Sequence, residues 1–143
     1  MNWIKNIFTG RKEKETINKM ASIAKYEGLF SKTDLSVIEE ELPYISFGQA
    51  DPFQIEKLRT SLPEDTKERF ALAHYLIDSL MVSGALAQRR EDVAAKILSA
   101  MDIPLTKAQE LTAFLKLNIR NGLSMEDSFQ RLGYLVSQTA YAS

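Results

Sequence analysis

One histidine, His74, is available for acid–base work, and Asp78 stands four residues after it. On a helix that spacing lets two side chains meet. Such a pair could act as an oriented general base or as half of a metal site, although a half-buried hydrogen-bonded pair is the plainer reading. The chain has no cysteine, which removes thiolate zinc sites, iron–sulfur clusters and cysteine nucleophiles. No motif sets a serine beside the histidine, so acyl transfer has little support. Glu39-Glu40-Glu41 reads as a solvated helix face rather than as two acids facing each other across a cleft, which glycoside hydrolysis needs. Gly28, Gly48, Gly84, Gly122 and Gly133 stand singly, and none builds a phosphate-cradling loop. Arg89, Arg90 and Lys96 form a basic patch too small for duplex binding, and a formal charge of −1 gives no global basic excess. Nucleic acid is therefore not an expected partner.

The elements that must carry these residues are helical almost throughout. Ile17, Met20, Ala21 and Ala24 recur at helical spacing and predict a helix over about Lys12 to Tyr26, stopped by Gly28. Ser31 with Asp34 three residues on is a form of capping box opening a helix that ends at Pro43. The stretch 44–50 is a loop or a short extended piece. Asp51 before Pro52 is an N-cap with proline in the first helical position. The longest helix is expected over Glu64 to Ser83, closed by Gly84. Its apolar residues cover so much of the circumference that it belongs at the centre of the fold. A further helix spans Gln88 to Met101, another starts with Thr106 as N-cap and stops at Asn121-Gly122, and Ser124 caps the last. The expected fold is all-α, a compact single-domain bundle of seven to eight helices. At 143 residues such a chain can bury a core without disulfides or metals.

The first residues read differently. If Asn2 to Phe8 is helical, Trp3, Ile4, Ile7 and Phe8 share one face with Lys5 opposite. Residues 1–25 carry six basic and two acidic side chains, whereas residues 26–66 carry three basic and nine acidic ones. An apolar face with basic charge behind it is how a short helix lies on an anionic membrane or against a partner. Residues 1–11 are accordingly expected to form an amphipathic arm on a domain of residues 12–143. The start has no cleavage signature, and the Phe70–Leu86 segment is interrupted by His74 and Asp78. Neither a secretory signal nor a membrane span is expected, so the expected location is cytoplasmic, peripheral to the inner face of the membrane.

Sliding the chain by 56 positions places Glu27-Gly28-Leu29-Phe30 on Ser83-Gly84-Ala85-Leu86, which suggests two related helical hairpins. The segment from Ala24 to Leu35, Ala-Lys-Tyr-Glu-Gly-Leu-Phe-Ser-Lys-Thr-Asp-Leu, resembles the signature of the tellurite-resistance TerB-like family. There a helix ends in Asp-Gly, an apolar residue and a Ser or Thr follow, and a Glu opens the next helix. Val82-Ser83-Gly84-Ala85-Leu86 with Glu91 resembles a degenerate second copy. The resemblance implies an all-helical fold with internal duplication, a part in bacterial stress response with membrane-associated partners, and an acidic cluster able to take a divalent cation such as calcium or magnesium. Carried onto this sequence, the cation's ligands would be Glu27, Asp34 and Glu91. Ser83 replaces the acid of the second copy, which weakens half of that site.

The leading expectation is thus a non-enzymatic interaction module of TerB-like type, with no cofactor beyond such a cation, a protein partner, and membrane or partner contact through Trp3, Ile4, Ile7 and Phe8. One alternative is a ligand- or metal-binding domain or enzyme using His74, Asp78 and Glu27. The other is an assembly adaptor of phage or mobile-element origin that forms homo-oligomers through the Phe70–Leu80 face.

Overall fold

The structure is a computed structural model that describes the backbone of residues 2–48 and 50–142 and the side chains of residues 10–48 and 50–133. Seven α-helices follow one another: α1 (Asn2–Tyr26), α2 (Lys32–Glu41), α3 (Pro52–Thr60), α4 (Thr66–Leu80), α5 (Gln88–Leu98), α6 (Leu105–Arg120) and α7 (Met125–Ala142), with a 3-10 turn at Ser99–Met101. The described residues contain no strand, and the all-helical bundle expected from periodicity is what forms.

Local chemistry explains most of the boundaries. Ser31 Oγ accepts the Asp34 N–H at 3.1 Å while the Asp34 carboxylate accepts the Ser31 N–H at 2.8 Å, a full capping box. Asp51 and Gln54 make the same reciprocal pair at the start of α3, with Pro52 in the first turn. Ser124 Oγ accepts the Asp127 N–H at the start of α7. The helix expected from about Lys12 begins earlier, because α1 is one helix from Asn2 onward. The helix α4 starts two residues later than expected, since Asp65 is its N-cap and accepts the Glu68 N–H at 2.9 Å. It also ends at Leu80, because Met81 turns to an extended backbone. Thr106 is not the N-cap of α6: Pro104 holds that position and Leu105 is already helical.

The two glycine turns differ in construction. At Gly28 (φ +74°) α1 ends in a Schellman turn, with Leu29 N–H bonded to Ala24 C=O and Gly28 N–H to Lys25 C=O. Gly84 does not end a helix. Ser83 and Gly84 are both left-handed and sit at the tip of a tight turn, where Val82 and Ala85 bond each other in both directions. The turn that repeats Gly28 bond for bond is Gly122, with Leu123 N–H on Asn118 C=O and Gly122 N–H on Ile119 C=O.

The core is shared by α1, α4 and α5. Ile17, Met20 and Ala21 from α1, Ala73, Leu76 and Ile77 from α4, and Val93, Ala94 and Ile97 from α5 have no exposed surface. The expectation of a central α4 holds, and α5 is as central, packing on α1, α2, α4 and α6.

Candidate functional site

The corner where α1 passes to α2 holds the acidic positions that the family resemblance singles out. Asp34 is buried at 5% exposure, and Lys96 of α5 reaches it with an Nζ–Oδ2 distance of 2.5 Å. Burial pushes the Asp34 carboxyl up, but the hydrogen bonds from Lys96 and from Ser31, with the Lys96 charge, outweigh it and hold Asp34 below its ordinary value. Glu27 is bound instead by Arg59 of α3. Glu91 is bound by Lys116 of α6 at 2.9 Å. The three acids therefore face three different cations on three different helices. Among the described residues, no group of three or more acids or histidines stands where a metal ion could be held. Glu27, Asp34 and Glu91 do not converge, and their pairs instead tie α1 to α3, α2 to α5 and α5 to α6.

Similar ties engage two residues of the small basic patch, while Arg89 is exposed. Arg90 bonds Glu41 at 2.6 Å and the Leu80 carbonyl at 3.3 Å, and Lys96 is held by Asp34. Glu39 and Glu40 are solvated, as the carboxylate run suggests.

His74 is half-buried with its Nε2 buried and unpartnered, and it makes neither an ion pair nor a hydrogen bond with exposed Asp78. Glu27, the third member of that set, is engaged by Arg59. Burial pushes the His74 imidazole below its ordinary value near 6.5, against the opposing pull of Asp78. An imidazole depressed in the folded chain takes its proton first in the unfolded chain, so its contribution is intact above about pH 6.5 and is lost as pH falls. His74→Leu is expected to flatten the melting temperature between about pH 7 and pH 5. Thermal scans by circular dichroism check this, and an unchanged slope would remove His74 from the acid response.

A cleft lies elsewhere, between α1, the loop after α2 and α4. It encloses about 530 Å³ and is lined by Gly10, Arg11, Lys14, Glu15, Asn18, Tyr44 and Tyr75. The Tyr44 hydroxyl is buried without a partner, and Lys14 Nζ lies 5.6 Å from the centre of the Tyr44 ring. The Tyr75 hydroxyl lies beside Gly10, where a Cβ would meet it at 3.5 Å, an ordinary contact. Comparison with protein-family models, with curated proteins and with solved structures finds no match to this chain. The geometry stands on its own.

Phe70, Ala73, Ile77 and Leu80, the face considered for oligomer formation, are at most 4% exposed and are spent on the chain's own core. The side chains of Trp3, Ile4, Ile7 and Phe8 lie outside the described residues. No helix among the described residues is long and apolar enough to cross a membrane. Tyr44 and Tyr75 are the residues that the spacing rules passed over: Tyr44 sits in the loop where periodicity gives no signal, and Tyr75 stands off the main apolar stripe of α4.

Proposed function

We propose that the chain is a non-enzymatic helical interaction module of TerB-like type, whose contact element is the first half of α1 laid on an anionic lipid surface. One observation carries this reading. The helix begins at Asn2, yet the first buried side chain among those described on it is Ile17. Over residues 10–16, about 10 Å of helix at 1.5 Å per residue, α1 buries no side chain, a stretch that gives the core little. It suits contact with something else. Arg11, Lys12 and Lys14 are exposed along it, and the sequence puts Trp3, Ile4, Ile7 and Phe8 on one face. Apolar anchors with basic neighbours match a surface of acidic headgroups. The stress-response role and the location at the inner face of a membrane belong to the same proposal.

Co-sedimentation with vesicles containing phosphatidylserine tests it. Wild-type protein should pellet with the vesicles, less so in high salt, because a Debye length of about 8 Å at physiological ionic strength screens the basic side chains. Trp3→Asp with Ile7→Asp should abolish most of the binding while leaving the melting temperature unchanged. A wild-type chain that stays in the supernatant at low salt sinks the lipid reading, and capture of a protein through the same residues would replace it.

A further inference from the structure

The cleft beside α1 is furnished almost entirely with hydrogen-bond donors. Arg11 contributes a guanidinium and Lys14 an ammonium. Asn18 accepts the Ser46 N–H through Oδ1 at 3.1 Å, which leaves its amide NH2 as the group still free to bond. Tyr75 adds a phenol hydroxyl and Tyr44 an aromatic wall. Burial, and then the neighbouring Tyr75, pushes Tyr44 up; burial, and then Glu13, pushes Tyr75 up. Both phenols therefore stay protonated at neutral pH, and Tyr75 is able to donate. The one acidic lining residue is Glu15, whose carboxylate already lies 3.4 Å from Arg11.

A set of donors this one-sided wants an acceptor carrying several oxygens and negative charge. Cations recognise oxyanions best through charge-assisted bonds, and Arg11 offers a planar fork for that. The volume of about 530 Å³ exceeds what a bare ion fills and leaves the tyrosine rings as walls for an organic group.

We propose that this cleft binds an organic phosphate, with Arg11, Lys14 and Tyr75 holding the phosphate oxygens and the Tyr44 ring packing its organic part. The phosphate can come from a soluble phosphomonoester or from a phosphatidic acid headgroup. The inference stands on the cleft and does not rest on the lipid contact of Trp3 and Ile7.

Isothermal titration of the full chain with phenyl phosphate, at constant ionic strength, is the first arm. The second is co-sedimentation with vesicles of phosphatidylcholine containing phosphatidic acid, compared with equally charged phosphatidylserine vesicles. Saturable binding of phenyl phosphate assigns a soluble source. A preference for phosphatidic acid without binding of phenyl phosphate assigns the headgroup. Lys14→Gln should weaken the positive arm about tenfold, and Tyr75→Phe about fivefold, the loss of one charged and one neutral donor respectively. Neither probe binding, or binding that both variants leave intact, overturns the proposal. Trp3→Asp with Ile7→Asp should leave the phenyl phosphate titration as it is, so failure of the arm and failure of the cleft are told apart.

Discussion

Asp34→Ala is expected to lower the unfolding free energy by about 3 kcal/mol and the melting temperature by about 10 °C, among the largest effects of any single charge deletion in the chain. Two losses add up. The Ser31 N–H gives up its carboxylate acceptor, so the capping box of α2 falls to one bond, worth about 1 kcal/mol. Lys96 then keeps an ammonium whose side chain is only 24% exposed and has no other partner. That exposure lets water reach it, so this second loss adds about 2 kcal/mol, less than the breaking of a fully buried pair costs. Asp34→Asn keeps an acceptor for Ser31 without the charge, and should lose about half as much. A double-mutant cycle with Lys96→Ala, read by urea denaturation, should return a coupling above about 1 kcal/mol. Because the carboxyl is held below its ordinary value near 3.8, the contribution is full above that pH and disappears as the solution is acidified through the folded value. The gap between wild type and Asp34→Ala should close in acid. A coupling near zero at neutral pH would mean that the pair does not join α2 to α5.

What could be read from the sequence, and what could not, follows the distance over which each interaction acts. Ser31 with Asp34, Asp51 with Pro52, and Ser124 were legible because a cap and its target lie three residues apart. The pairs that hold the corner together span 32 residues for Glu27 with Arg59, 62 for Asp34 with Lys96, 49 for Glu41 with Arg90 and 25 for Glu91 with Lys116. No local pattern marks them. Asp34 and Glu91 read as free carboxylates in a one-dimensional view; in three dimensions each is already matched by a cation. Gly84 teaches a similar lesson about backbone. A glycine announces that a left-handed residue is needed, but not which turn needs it. At Gly28 the turn is a helix end, whereas at Gly84 it is a two-residue reversal in which Ser83 shares the strained conformation at φ 53°. The cleft was illegible for both reasons, since it unites three segments and depends on Tyr44 in a loop.

The second large effect should come from Ile97→Ala, about 4 kcal/mol of lost stability. Local chemistry gives α5 little help. It has 11 residues, short of what holds as an isolated helix. Ala87 at its N-cap offers no side-chain acceptor, and Arg89 and Arg90 in the first turn oppose the positive end of the helix dipole, with Glu91 as the one favourable charge there. The helix exists because Val93, Ala94, Ile97 and Leu98 are fully buried against its neighbours. Because α5 packs on four other helices and Ile97 has no exposed surface, a cavity there cannot easily collapse, which favours the upper part of the range. Ile97→Val should cost about 1 kcal/mol, and Leu117→Ala, 47% exposed on α6, less than about 0.5 kcal/mol. Urea midpoints at unchanged slope give these values directly; a loss below about 1 kcal/mol for Ile97→Ala would show that α5 is not held as described. Lys96 and Glu91 lie on the same helix as Ile97 and anchor Asp34 and Lys116. Once the cavity lets α5 shift, the Lys96 bond is already weakened, so Asp34→Ala added to Ile97→Ala should cost less than it does alone, by more than about 0.5 kcal/mol. Strict additivity would separate the charged corner from the core and leave the ion pairs as surface decoration rather than the means by which α5 holds α2 in place.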